Sequence, residues 1–208
     1  SITFDELIGY KLSTRMEMAD RLLDDLFAAI DQFGNETGEE ARIVLEKWDH
    51  QADTASTGAM LFYTWARKMF ESGKPVFDGR WDEEDPLNTP GGLAEPEMAV
   101  HALEQAAREL KTKYGSLSIP WGKVNRLKYN HSDLSGNGAN EFVGIFRVAY
   151  SGYMENNINY ISGGDSWVGV IEFGKRIKAK VLLSYGNSTQ EESPHHGDQL
   201  KLFSEKKL

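Results

Sequence analysis

The chain has 208 residues, of which 23 are basic and 32 acidic, so its formal net charge is −9. This length is enough for one sizeable hydrophobic core or two small lobes. An acidic chain lacks the basic face that a nucleic-acid backbone or an anionic membrane attracts, so neither is expected as its main partner. The chain contains no cysteine, which excludes disulfides, thiolate catalysis and cysteine-based zinc sites.

No apolar run approaches the ~18 residues of a membrane-spanning helix, and no signal peptide is visible. The chain begins with Ser1 instead of Met. We therefore expect a processed product or a piece of a longer chain.

The first part of the chain is predicted to be helical. Possible Thr-x-x-Glu capping boxes begin at Thr3, Thr14 and Thr37. Apolar residues recur at helical spacing in three runs: Ala19 to Phe33, Ala41 to Trp48 and Ala59 to Phe70. After an irregular segment at about residues 72–96, which is rich in Pro and Gly, a further helix is predicted from Glu97 to Tyr114.

Two features of this helical part suggest binding sites. Tyr63, Trp65 and Phe70 offer the aromatic lining of a pocket, but aromatic residues at helical spacing favour positions in the core. The acidic run Asp82–Asp85 offers oxygen ligands to calcium. It lacks the alternating spacing and central Gly of an EF-hand loop, which favours a solvated loop.

The later part of the chain is predicted to form strands. Phe142–Tyr150 is apolar on both faces apart from Arg147, and Asn156–Ile161 is expected to return antiparallel to it after Ser151-Gly152. A second hairpin is expected to join Trp167–Phe173, through the reversal Gly174-Lys175-Arg176, to the strand that follows.

In that following strand, apolar residues alternate with polar ones. The apolar set is Ile177, Ala179, Val181, Leu183 and Tyr185, and the polar set is Lys178, Lys180 and Ser184. This alternation predicts that the strand buries its apolar face. A short helix containing Leu200 and Phe203 is predicted to follow.

Helices followed by an antiparallel sheet constitute an α+β fold. We predict a helical region at residues 1–115, which contains the irregular segment, and an antiparallel β-sheet region with a C-terminal helix at residues 116–208.

The segment Gly163–Gln199 concentrates the residues that suggest chemistry. Ser166, His195 and Asp198 are the residue types of a serine-hydrolase triad, although the G-x-S-x-G pattern is absent. His195, His196 and Asp198 offer metal ligands, but adjacent histidines on an extended chain point in opposite directions. The favoured interpretation is that these side chains tie a Pro- and Gly-containing loop to the sheet.

Ser1 is a further candidate nucleophile. The α-amino group of an N-terminal serine titrates near neutral pH and is able to accept the hydroxyl proton. Ser1 runs directly into the first predicted capping box, however, whereas such a nucleophile normally begins a buried strand. The local pattern therefore favours a chain boundary over a catalytic residue.

Several segments resemble the penicillin acylase family of N-terminal nucleophile hydrolases, particularly its aculeacin and acyl-homoserine-lactone acylases. The similarity to the C-terminal part of the family's large subunit is carried by Gly163–Phe173, Ser184–Ser188 and Ser193–Leu200. Further similar segments occur in the family's order: Thr3–Leu7, Thr14-Arg15, Asp20–Leu26, Ala41–Asp49 and Ile119–Val124. The resemblance thus extends over nearly the whole chain.

The resemblance implies an αββα sandwich and an amidohydrolase made of a small α and a large β subunit. In this family a precursor cleaves itself, and the first residue of the β subunit is the serine nucleophile. An asparagine and a backbone N–H form the oxyanion hole. The substrates are N-acyl amides such as β-lactams, lipopeptides or acyl-homoserine lactones. A periplasmic or secreted location is also implied.

The start of the chain departs from the family's pattern. The family's nucleophile is followed by Asn and soon by Trp, whereas Ser1 is followed by Ile2-Thr3-Phe4. The resemblance therefore implies the C-terminal portion of a β subunit, with the catalytic Ser, the oxyanion Asn and the calcium-binding acids upstream. Such a portion is expected to be inactive alone and to hold no cofactor or metal.

The partners expected of such a portion are the rest of the β subunit and the α subunit. An exposed apolar patch is expected where they pack, with a homodimer of the isolated chain as a further expectation. Two alternatives stay open. One is a stand-alone, non-catalytic binding module, and the other is a complete hydrolase that uses Ser1.

Overall fold

The computed structural model describes residues 2–208, except the side chain of Tyr153, and the fold is α+β as predicted. The helices are α1 (Phe4–Lys11), α2 (Glu17–Phe33), α3 (Glu36–Glu46), α4 (Ala59–Glu71), α5 (Pro96–Tyr114), α6 (Trp121–Val124) and α7 (Leu200–Ser204). The strands are β1 (Asn125–Tyr129), β2 (Ser132–Ser135), β3 (Ala149–Glu155), β4 (Ile158–Gly164), β5 (Trp167–Glu172) and β6 (Lys178–Leu183).

The chain divides into two compact units. The sheet unit comprises Ser1–Arg15, Ala52–Thr54 and Trp121–Leu208, and it contains α1, α6, α7 and the strands. The helical unit comprises Met16–Gln51 and Ala55–Pro120, and it contains α2 to α5. The regions predicted at residues 1–115 and 116–208, like the sandwich, stay predictions.

Long helices form where the apolar spacing predicts them. The buried residues of α2 include Ala19, Leu22, Leu23, Leu26 and Ile30 of its predicted stripe. Those of α5 include Leu103, Ala106, Ala107 and Leu110. Gly115 ends α5 with φ of 71°, a left-handed conformation that glycine adopts readily because it has no Cβ atom.

One of the three predicted capping boxes is confirmed. The Thr3 side chain accepts from the backbone N–H of Glu6, whose carboxylate accepts from the Thr3 N–H at 2.8 Å. The boxes predicted at Thr14 and Thr37 are wrong. The N-cap of α2 is Met16, without a side-chain hydrogen bond. Asn35 caps α3 instead, because its extended backbone aims its oxygen at the first free N–H groups of the helix.

The aromatic residues of α4 occupy different environments. Trp65 is buried in the core of the helical unit, and its indole N–H donates to the Ala99 carbonyl oxygen of α5 at 3.0 Å. The Phe62 ring lies 5.2 Å from the Trp65 ring, whereas Phe70 is exposed. Trp65 therefore serves helix packing.

The larger sheet has the strand order β2-β1-β4-β3. The pairs β1–β2 and β3–β4 are antiparallel, but β1 and β4 are parallel, so the sheet is mixed where a fully antiparallel one was predicted. Parallel neighbours require a long crossover, and residues 130–157 between β1 and β4 provide it. The core of the sheet unit contains Leu127, Ala149, Ile161, Val168, Leu182, Leu200 and Phe203.

The strand predicted at Phe142–Tyr150 is wrong over most of its length. A turn of 3-10 helix covers Glu141–Val143, Gly144 follows with φ of 69°, and β3 begins only at Ala149. The Arg147 N–H donates to the Ser13 carbonyl oxygen at 3.2 Å instead of entering a strand ladder.

The reversal between β3 and β4 was also predicted in the wrong place. It lies at Asn156 and Asn157, whose φ angles are 50° and 63°. Such a pair of left-handed residues is typical of a tight hairpin turn. Ser151 and Gly152 lie inside β3.

The predicted hairpin of β5 and β6 is confirmed, but the prediction of its buried face is wrong. Val168 and Leu182 pair across the strands and are buried together with Val170. The opposite side, here called the open face, carries the strand residues Trp167, Gly169, Ile171, Ala179, Val181 and Leu183. Val181 is 48% exposed. Alternation determines which residues share a face, whereas burial also requires a layer that covers it.

Candidate functional site

A buried arginine lies at the centre of the polar groups in the sheet unit. The side chain of Arg147 is 0% exposed. Its guanidinium donates to Asn137 Oδ1 at 3.2 Å, to Asp165 Oδ2 at 3.4 Å and to the Phe203 carbonyl oxygen at 3.3 Å. The guanidinium also lies 3.6 Å from the centre of the Phe203 ring. We call these residues, together with Lys11, the Arg147 cluster.

One carboxylate in the Arg147 cluster pairs with two cations. Lys11 Nζ donates to Asp165 Oδ2 at 2.7 Å, so one carboxylate oxygen meets two cations. Burial lowers the pKa of the Arg147 guanidinium to about 10, although the charge and hydrogen bond of Asp165 act in the opposite direction. A buried charge is tolerated when it is paired and hydrogen-bonded, and this cluster meets that condition.

A second set of contacts holds the segment that follows β6 in place. Gln199 Oε1 accepts from the Leu183 N–H at 2.8 Å, and the Gln199 N–H donates to the Tyr185 carbonyl oxygen at 3.0 Å. The Tyr185 ring stacks on Tyr129 at 4.4 Å. Burial and the neighbouring Tyr129 raise the pKa of Tyr185. These contacts attach the start of α7 to the edge of β6.

Ser166, His195 and Asp198 do not form a connected triad. His195 Nδ1 lies 3.0 Å from Asp198 Oδ2, and both side chains are exposed. Over residues 2–208, no hydrogen bond joins the Ser166 hydroxyl to His195, and the backbone oxygen of Ser166 accepts from the Ser184 N–H. The arrangement contains a His–Asp pair without a positioned nucleophile.

Ser166 does line a cavity of about 130 Å³. Polar groups in its wall come from Ser162, Asp165, Ser166, Ser184 and Tyr185. The carboxylate of Asp165 is already engaged in ion pairs with Lys11 and Arg147, so its contacts are structural.

His196 faces away from the His195–Asp198 pair. Its Nδ1 lies 3.0 Å from the Ser188 carbonyl oxygen, which only accepts, so this nitrogen carries the proton. The ring also contacts Tyr129, at 5.0 Å between ring centres. In the part of the chain that the structure describes, no three His, Asp or Glu side chains converge as a metal site.

The acidic run Asp82–Asp85 forms local turn contacts. Asp82 Oδ1 accepts from the Glu84 N–H at 3.0 Å, and Asp85 Oδ1 accepts from the Asn88 side chain at 2.7 Å. Ser1, the remaining candidate, lies outside the described residues, so the interpretation of Ser1 as a chain boundary and not a nucleophile stays a prediction.

Comparison with known proteins connects this arrangement to a family. The Penicillin amidase family model matches residues 1–208. The chain belongs to the penicillin amidase family. The resemblance inferred from Gly163–Gln199 and the other segments is thus confirmed.

Two relatives illustrate the family's range. The acyl-homoserine lactone acylase PvdQ of Pseudomonas syringae pv. syringae is 24% identical over 219 residues, which cover 99% of this chain and 28% of that protein. The aculeacin-A acylase of Actinoplanes utahensis is 26% identical over 206 residues, which cover 92% of this chain and 25% of that protein. The chain therefore spans about a quarter of the length of these penicillin amidase relatives.

The buried ion pair of Arg147 and Asp165 in this penicillin amidase chain was not predicted from the sequence. Arg147 appeared only as an exception in an apolar run, and Asp165 only as a neighbour of Ser166. A lone arginine among apolar residues was the available signal, because an arginine is almost never fully buried unless it is paired.

The helices of residues 2–208 are each too short or too polar to cross a membrane.

Proposed function

We propose that this chain forms the C-terminal structural portion of a penicillin-acylase-like amidohydrolase and is inactive alone. In this proposal the parent enzyme hydrolyses the amide bond of an N-acyl substrate. The nucleophile, the oxyanion hole and the family's calcium site belong to other segments, and this chain holds no cofactor. The remainder of the β subunit and the α subunit are its partners, in a periplasmic or secreted enzyme.

The observation that supports this proposal is that polar side chains of the Gly163–Gln199 segment make structural contacts. Asp165 pairs with Arg147 and Lys11, and Gln199 bonds both to β6 and to Tyr185. Each contact connects elements that lie far apart in the sequence. Such side chains position strands, which is the role expected of a scaffold for catalytic residues supplied elsewhere.

The substrate class is proposed from the names of the relatives. One is an acylase of acyl-homoserine lactones and another of aculeacin A. We propose that the parent enzyme of this chain acts on an N-acyl amide such as an acyl-homoserine lactone or a lipopeptide. β-Lactams are included because the matching family is named for penicillin.

The test compares the 208-residue chain with the protein encoded by the complete reading frame. Both are incubated with N-acyl p-nitroanilides of short and long acyl chains, and release of p-nitroaniline is measured. We expect turnover by the complete protein and none above buffer by the chain alone.

Turnover by the isolated chain that disappears in Ser1→Ala would show that the chain contains its own nucleophile. Absence of turnover by the complete protein with every amide would contradict the amidohydrolase proposal itself. A Ser166→Ala variant of the complete protein serves as the matched control, and its activity is expected to equal that of the unsubstituted protein.

A further inference from the structure

The open face of the β5–β6 hairpin exposes an unusual amount of apolar surface. Trp167 on this face is 55% exposed, while Phe173 and Ile177 beside the turn are 81% and 69% exposed. Ile171 and Val181, which lie on this face between Trp167 and the turn, are 43% and 48% exposed, so the apolar surface continues along the face. An apolar surface that continues along an exposed strand face is often an interaction surface.

The backbone of β6 has an unpaired edge beside this face. The Ser184 N–H donates to the Ser166 oxygen, and antiparallel pairs alternate, so the N–H groups of Leu183, Val181 and Ala179 point away from β5. The contact of the Leu183 N–H with Gln199 agrees with this direction. Among the described residues no strand pairs with that side of β6, so Val181 and Ala179 offer a free strand edge.

The charge around this edge is opposite to that of the chain as a whole. The hairpin carries Lys175, Arg176, Lys178 and Lys180 against one acid, Glu172, in a chain of net charge −9. Lys178 and Lys180 project to the side opposite the open face, because their positions alternate with Ala179 and Val181. A further strand paired with this edge would place its apolar side chains beside Val181 on the open face. The side chains that alternate with them would lie beside Lys180 on the opposite face.

We propose that the free edge of β6 is a docking site for an extended segment of alternating apolar and acidic residues, supplied by another part of the full-length protein. The inference rests on the proposed function, in which other segments complete the enzyme. Main-chain hydrogen bonds to Ala179 and Val181 provide affinity, and acidic side chains beside Lys180 provide selection. A second copy of β6 is disfavoured, because it would set two lysine-bearing strands side by side.

The test uses the 208-residue chain and two fluorescent synthetic peptides of ten residues. One peptide alternates Val with Glu, and the matched control alternates Val with Lys. We expect the Val/Glu peptide to bind about tenfold more tightly at low salt and to lose this advantage at high salt. Amide hydrogen exchange is expected to show new protection at Ala179 and Val181.

Substitutions in β6 separate docking from folding. Val181→Pro removes an outward N–H and no hydrogen bond to β5, so it is expected to weaken Val/Glu binding about tenfold. Val181→Thr keeps that N–H and is expected to bind within about twofold of the unsubstituted chain. Lys180→Glu is expected to reverse the preference between the peptides, which tests the proposal even if the proline variant does not fold.

Equal binding of both peptides overturns the proposal, as does a Val181→Pro chain that folds and binds normally. Protection of the same amides by self-association or by anionic vesicles, without the peptide, also overturns it. These readouts do not involve amide hydrolysis. A failure of docking therefore leaves the proposed enzymatic function standing, and a failure of hydrolysis leaves the docking result interpretable.

Discussion

The sheet unit buries a full positive charge and exposes an apolar strand face. Arg147 is buried because each of its three side-chain nitrogens donates to an acceptor and its charge is paired with the Asp165 carboxylate. The open face is exposed although its residues are apolar from Trp167 to Leu183. Burial in this chain therefore depends on which partners are available. A polar group with all its partners is stable inside, and an apolar face without a covering layer stays outside.

The largest expected effect comes from removing the arginine of the Arg147 cluster. Arg147→Met leaves Asn137 Oδ1 and the Phe203 oxygen without their buried donor, so we expect the free energy of unfolding to fall by about 3–5 kcal/mol. Urea unfolding followed by circular dichroism measures the change. Arg67→Met is the matched control, because the Arg67 side chain is half-exposed and pairs with an exposed Glu71, so about 1 kcal/mol or less is expected.

Similar losses in the free energy of unfolding for the two methionine variants would contradict the expectation that the buried contacts of Arg147 stabilise the fold. They would mean that the hydrogen bonds of Arg147 contribute no more than a surface ion pair. An additional Lys11→Met variant tests the compensation of Asp165. We expect it to cost less than Arg147→Met, because Asp165 keeps its arginine partner.

The second prediction contrasts neighbouring residues on the two faces of β6. Leu182 is fully buried against the core, so Leu182→Ala is expected to cost about 2–5 kcal/mol. Val181→Ala, on the open face, is expected to change the free energy of unfolding by about 0.5 kcal/mol or less. Both variants are compared in urea at the same protein concentration.

A large loss for Val181→Ala would mean that the open face is covered in solution. Repeating the measurement at several protein concentrations identifies self-association as a cause, because only then does the midpoint of unfolding depend on concentration. That outcome would support the predicted homodimer and would contradict the docking proposal for β6.

The two faces of β6 also mark the limit of what the sequence predicts. The helical period located α2 and α5, because one apolar stripe is buried inside the unit to which the helix belongs. The two-residue period of β6 correctly grouped Ala179, Val181 and Leu183 on one side. It gave the wrong burial, because burial depends on which layers are present and not on alternation alone.

The irregular parts of the sheet unit were harder to predict for a different reason. The apolar run around Arg147 has the composition of a strand, but its backbone bonds to Ser13 and its side chain to three distant groups. Such contacts join positions far apart in the sequence, so no local pattern encodes them. The turn at Asn156-Asn157 was predictable in principle, because Asn tolerates the left-handed conformation that tight hairpins need.

The smallest expected effect concerns Glu109, a carboxylate near the surface that is paired with two lysines. Burial raises the pKa of Glu109, but hydrogen bonds from Lys113 and Lys68 outweigh this and hold it at about 2, below its ordinary 4.5. Its folded-state pKa is depressed, so its contribution is complete above pH ~4.5 and disappears as the pH falls towards ~2. Glu109→Gln is expected to cost about 1 kcal/mol at pH 7 and progressively less across that window. Glu83→Gln, in the exposed acidic loop, is the control. If the difference in free energy of unfolding between wild type and Glu109→Gln stays constant from pH 7 to pH 2, the lysines do not stabilise the carboxylate.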